Sequence, residues 1–139
     1  MPKTRPPSKS NTPTRRGPNV VNDKYRGTPE YDRAKAELIL AAKYMGVWSY
    51  RGISTILGGI TGNQLGREAG LLLGAIAEDE FRAGRPLLSC VMATTKGRND
   101  PGKGFFPLAR TLGLLADGQD EAAFLEKERK ATYKTWSAS

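Results

Sequence analysis

The sequence predicts a mainly α-helical single domain, a winged helix-turn-helix-like unit with a small β wing, preceded by a basic arm that is disordered when free. Three observations predict it. Apolar residues recur at three- and four-residue steps over two long stretches. Between those stretches, SYRGISTILG (residues 49–58) carries a short apolar pattern that a Gly-Gly pair ends after barely two helical turns. After them, RPLLSCVMATT (residues 85–95) changes period towards that of a strand. A chain of 139 residues fits one domain.

The arm is read as residues 1–28 and the folded domain as residues 29–139. Of the net charge of +8, the arm carries +6, from seven lysines and arginines against Asp23 alone. It also holds five of the nine prolines and almost no large apolar residue before Val20. Such a segment cannot bury enough surface to offset its ordering entropy. Its functional reading is a nucleic-acid tether that displaces counterions from phosphates; the alternative is a solubilising tail or a targeting address.

Thr28-Pro29-Glu30 signals a helix start, with a hydroxyl cap, proline at the first helical position and a carboxylate in the first turn. The helix is expected to run to Met45, with Tyr31, Ala34, Leu38, Ala41 and Met45 along its core-facing stripe. SYRGISTILG then forms a second helix capped by Ser49. A helix this short cannot hold itself together in water, where about 12 residues are needed for marginal stability. It must pack, as the first member of a helix-turn-helix. GGITGN supplies the turn, and QLGREAGLLLGAIAEDEFRAG the third helix, with Leu65, Ala69, Leu72 and Ile76 inward and Gly84 as its stop.

Gly66, Gly70 and Gly74 form a second stripe on that helix, free of side chains. Each costs about 1 kcal/mol relative to alanine. Either another helix packs closely there or a ligand approaches the backbone. RPLLSCVMATT is expected to be a strand, KGRNDPGKG a loop, and the GFF that follows a return strand before a short helix, PLARTLGLL. That pair is the expected wing. A last helix runs from about Asp120 to Trp136, with Phe124, Leu125 and Trp136 as anchors.

Composition excludes several chemistries. There is no histidine and one cysteine, Cys90, so His-dependent triads, His-Cys zinc sites and an intrachain disulfide are ruled out. No cofactor and no metal is expected. No apolar run approaches the roughly 18 residues that span a bilayer, and the N-terminus lacks the apolar core of a signal peptide. A cytoplasmic or nucleoid-associated protein without membrane contact is the expectation.

SYRGISTILG resembles the tyrosine-led helix of the winged-helix domain in alkylguanine-DNA alkyltransferases and alkyltransferase-like proteins, with Tyr50, Ile53, Leu57 and Gly58 at matching spacing. REAGLLLG (residues 67–74) resembles that family's recognition helix, and Cys90 falls near its reactive cysteine. The likeness spans about residues 50–106. It implies a helix lying in the minor groove, with Arg67 filling the vacated base-stack space and Tyr50 helping to rotate the nucleotide outward. The family's Pro-Cys-His-Arg motif is replaced by Ser89-Cys90-Val91-Met92. An unactivated thiol is mostly protonated at neutral pH, so Cys90 is assigned to packing.

The expected function is therefore non-catalytic binding of double-stranded DNA, with recognition of distorted bases as the resemblance implies. The expected contacts are Tyr50, Arg51, Asn63, Gln64, Gly66, Arg67 and Gly70 from the helices, Lys96, Arg98 and Lys103 from the loop, and Arg15 and Arg16 from the arm. The alternatives are a structural component of a ribosome or virion, with protein partners, or a nuclease or alkyltransferase. For a nuclease, Glu78, Asp79 and Glu80 would be the candidate carboxylates. Consecutive positions on a helix do not share a face, and a solvated helix end is the preferred reading of these three.

Overall fold

A computed structural model of the chain describes residues 15–137. Lys3, Arg5 and Lys9 of the expected arm lie outside the described residues. The described chain is mainly helical: α1 (Pro29–Lys43), β1 (Trp48–Ser49), α2 (Tyr50–Ile56), α3 (Gly62–Arg82), a 3₁₀ helix (Leu88–Val91), β2 (Met92–Ala93), α4 (Phe105–Thr111) and α5 (Glu121–Ser137).

Helix α1 starts where its signals place it, with the Tyr31 amide donating to Thr28 Oγ1 at 3.2 Å. It ends two residues before the expected Met45, because Met45 takes a left-handed φ of 56° and turns its side chain to solvent. Ala42 fills the inward position instead. Helix α3 follows its predicted stripe, with Ala69, Leu72 and Ile76 buried, and Gly84 stops it at φ +82°. Its last carbonyls are taken by Gly84 N–H on Phe81 O at 3.0 Å and Arg85 N–H on Glu80 O at 2.9 Å.

The expected wing is corrected. Leu87 through Met92 are all buried, so the segment has no solvent face to alternate with, and it coils into a 3₁₀ turn between α1, α3 and α5. The carbonyls to which a neighbouring strand would donate are engaged by Arg129 of α5, whose Nε donates to Cys90 O at 2.7 Å and Nη2 to Met92 O at 3.0 Å. Only Met92–Ala93 remains extended, and it pairs in parallel with Trp48–Ser49. GFF does not return as a strand. Gly104 caps α4, and Phe105 and Phe106 form its first turn, where Pro107 is tolerated for want of an intrahelical acceptor. Phe105 packs edge-on against Phe106, with ring centroids 5.2 Å apart, and reaches Phe124 of α5 at 6.0 Å.

The arm boundary is corrected as well. Residues 15–28 lie along α3 as a strap. Val20 and Val21 donate their amides to Glu78 at 2.7 and 3.0 Å, and Arg26 Nη2 reaches the same carboxylate at 2.8 Å. Arg82 donates to Glu78 at 3.0 Å and to Pro18 O at 2.7 Å, while Lys24 pairs with Glu68 at 2.6 Å. Two of the three carboxylates expected to be solvated are buried, Glu78 and Glu80 at 0 % exposure each, while Asp79 is half-buried. The two buried ones point different ways, Glu78 to the strap and Glu80 to Arg85 and Lys35. Burial pushes the Glu78 carboxyl up, but hydrogen bonds from Val20, Val21, Arg82 and Arg26 outweigh it and hold the group below its usual range.

Candidate functional site

Helices α2 and α3 meet across a five-residue turn, and the loop of residues 94–104 stands beside the N-terminal half of α3. Between them lies an open cleft of about 550 Å³. Tyr50 from the start of α2, Asn63, Gly66, Arg67 and Gly70 from α3, and Lys103 from the loop line it. Six of the expected contacts are thus brought to one place, together with Gly62, Leu65, Thr94, Thr95, Gly102 and Gly104. The lining contains two cations and no carboxylate.

Arg67 is the available charge. Its side chain is 65 % exposed and its nearest acid, Glu68, sits 3.8 Å from Nε. Glu68 is already engaged, since Lys24 and Tyr25 donate to it from the strap and hold its carboxyl low. Tyr50, by contrast, is a half-buried wall. Its hydroxyl donates to Pro101 O at 3.2 Å, and burial pushes it up to about 12. Gly102 makes that seat possible, because it adopts φ +105° and any Cβ there would collide with the Tyr50 hydroxyl.

Asp100 organises the loop. Its Oδ1 accepts from Gly102 N–H at 3.0 Å, its Oδ2 from the Thr94 hydroxyl at 2.8 Å, and its carbonyl from Thr94 N–H at 2.9 Å. The Gly102 amide, followed by the Thr94 hydroxyl, lowers the Asp100 carboxyl below its usual range. Asp100 and Gly102 are absent from the expected contacts, although the Asn-Asp-Pro-Gly run carries the turn chemistry that singles them out.

The glycine stripe divides. A Cβ on Gly74 would meet Val21 of the strap at 3.3 Å, so this glycine serves packing. Gly66 and Gly70 have nothing within 4 Å of such a Cβ and face the open cleft.

The other expected contacts lie elsewhere. Arg51 and Gln64, in the first turns of α2 and α3, and Lys96 of the loop are exposed and do not line the cleft. Arg98 reaches towards Tyr133 of α5. Arg15 is engaged at the opposite end of α3, where its guanidinium stacks 4.4 Å from the Phe81 ring centroid and donates to Phe81 O. At 1.5 Å per residue, that is about 21 Å along the helix from Arg67. Arg16, beside it, is exposed. Cys90 is 0 % exposed, 3.2 Å from the Thr132 hydroxyl, and burial pushes its thiol up to about 12.

Among the described residues no group of three or more histidine, cysteine, aspartate or glutamate side chains is placed to hold a metal ion, and no helix is long and apolar enough to cross a membrane. No protein-family model, no curated protein and no solved structure matches this chain.

Proposed function

We propose that the chain binds double-stranded DNA through the α2–α3 unit, without chemistry on it, as a helix-turn-helix whose 94–104 loop serves as a short irregular wing. The observation that carries this reading is the cleft beside α3: Arg67 and Lys103 stand in it with no acid in the lining, next to two glycines that leave the helix backbone bare. Phosphates are drawn to such a surface, and bare backbone lets a helix approach a groove wall closely. The resemblance to alkyltransferase-like proteins adds recognition of distorted bases, with Arg67 as the side chain that enters the stack.

The test is a gel-shift series with intact duplex, mismatched or alkylated duplex, single-stranded DNA and RNA at two salt concentrations. Preference for duplex, strongest for the weakened ones, is the expected result. Equal and weak binding to all four would sink the proposal and favour a component that needs its parent assembly.

Two variants sharpen it. Gly66→Ala and Gly70→Ala should each raise stability by up to about 1 kcal/mol, since alanine is the better helix former and its methyl meets nothing. If the glycines serve DNA, the same changes weaken duplex binding, so thermal stability and affinity move in opposite directions. Unchanged affinity would return both glycines to the helix alone.

Removal of residues 1–14 is expected to leave the strap and its Glu78 contacts in place. The segment carries Lys3, Arg5 and Lys9. If each meets a phosphate, its loss flattens the log-log salt slope by about 0.9, or about 2.7 in all. An unchanged slope would make this segment a bystander in binding.

A further inference from the structure

Arg129 is 94 % buried by its 6 % exposure, yet among the described residues no carboxylate lies within ion-pair distance of it. Its Nε and Nη2 donate to the carbonyls of Cys90 and Met92. Those are dipoles, and they leave the guanidinium without an ionic partner. Nη1 has no hydrogen-bond partner among the described residues, and Arg129 borders a cavity of about 450 Å³ between α5 and the 94–104 loop. Arg98, Lys130 and Tyr133 stand around the same cavity, with Arg98 Nη2 at 3.5 Å from the Tyr133 hydroxyl. Glu126 is the one acid in the lining, and Lys130 already faces it at 3.7 Å.

We propose that this cavity is a binding site for a dianionic phosphate, either free or as a terminal monoester, held between Arg129, Arg98 and Lys130, while the Tyr133 hydroxyl, which donates to Gly46 O at 3.0 Å, is a wall of the site and no donor to it. Three cations against one acid leave an excess of two positive charges, the complement of a phosphate dianion. Arg98 presents a planar fork that matches its oxygens, and Arg129 adds Nη1 from a guanidinium that is pre-set by its carbonyl bonds. The site is separate from the cleft beside α3 and does not depend on duplex binding there. A purely structural Arg129, stitching α5 to β2, would account for the carbonyl bonds but not for the two further cations that line the same cavity.

The test uses the full chain. Inorganic phosphate is titrated at constant ionic strength, with chloride as the control, while the Arg129 Nε–H resonance and the melting temperature are followed. A saturable shift accompanied by a rise in Tm is expected. Arg98→Glu and Lys130→Glu alter exposed side chains and should each weaken the response about tenfold, equivalent to about 1.4 kcal/mol. In a second arm, an oligonucleotide with a 5′-phosphate is compared with its 5′-hydroxyl counterpart. Preference for the former, lost in the two charge-reversal variants, identifies a strand end as the source. Equal binding of the two, with saturation by inorganic phosphate, identifies the free ion. A response that does not saturate, or one that survives both charge reversals unchanged, would overturn the site.

Discussion

Glu78→Gln should lower the free energy of unfolding by about 3 kcal/mol, the scale for removing one member of a buried ion pair. The carboxylate is fully buried and accepts from four donors: the amides of Val20 and Val21 and the guanidinium groups of Arg26 and Arg82. A glutamine amide keeps the shape but loses the charge, and it turns an NH₂ towards groups that also donate. Arg26 and Arg82, whose side chains are only 16 % and 19 % exposed, are then left partly unpaired. Urea denaturation would measure the loss, and hydrogen exchange at Val20 and Val21 would show whether the strap releases first. A loss under 1 kcal/mol, with both amides still protected, would mean that the strap is held by something other than Glu78.

The pH dependence carries a sign of its own. The Glu78 carboxyl is held below its unfolded value, so its contribution is fully present above that value and is lost as pH falls through the folded one. Glu80 behaves alike, since Arg85 and Lys35 outweigh the effect of its burial. Glu128 has the opposite sign, because burial raises it despite the Leu87 amide at 2.7 Å. Between neutral pH and the acid range, the Glu78→Gln curve should therefore fall less steeply than that of the parent chain. Identical slopes would remove Glu78 as a source of acid lability.

What the sequence made legible was local. Thr28-Pro29 at the start of α1, Gly84 at the end of α3 and the Leu72–Ile76 stripe each depend on neighbours within a turn or two, and each stands where it was expected. The strap was not legible, because composition counts Arg26 as a loose charge while its partner lies 52 residues further on. The same limit produced the misread wing. Alternation of Leu88, Cys90 and Met92 has meaning only if Leu87, Ser89 and Val91 face water, and packing from three helices denies all of them that face. Arg129 was not singled out by the sequence at all, yet it is buried and engages the carbonyls of Cys90 and Met92. Within the cleft, Tyr50 and Arg67 were singled out by the family resemblance, which could not show that one is pinned and the other available.

That difference directs the second large effect, which is expected at Arg67. Extruding a base costs a few kcal/mol, and less where the pair is mismatched or damaged, so a protein that fills the vacated stack binds weakened duplexes more tightly. Arg67→Ala should remove that preference and weaken binding by about 1–3 kcal/mol, about fivefold to more than a hundredfold in affinity. The side chain is mostly exposed and its contact with Glu68 is long, so the fold should change by no more than about 0.5 kcal/mol and the binding loss can be assigned to the interface. Tyr50→Phe should be milder. It deletes the hydroxyl bond to Pro101 O but keeps the ring that walls the cleft. A fluorescent base analogue opposite a mismatch reads the event itself, brightening as it leaves the stack when protein is added. If binding is tight while the signal stays flat, and Arg67→Ala weakens every duplex equally, Arg67 is an ordinary phosphate contact. The chain then grips the backbone of DNA without opening it.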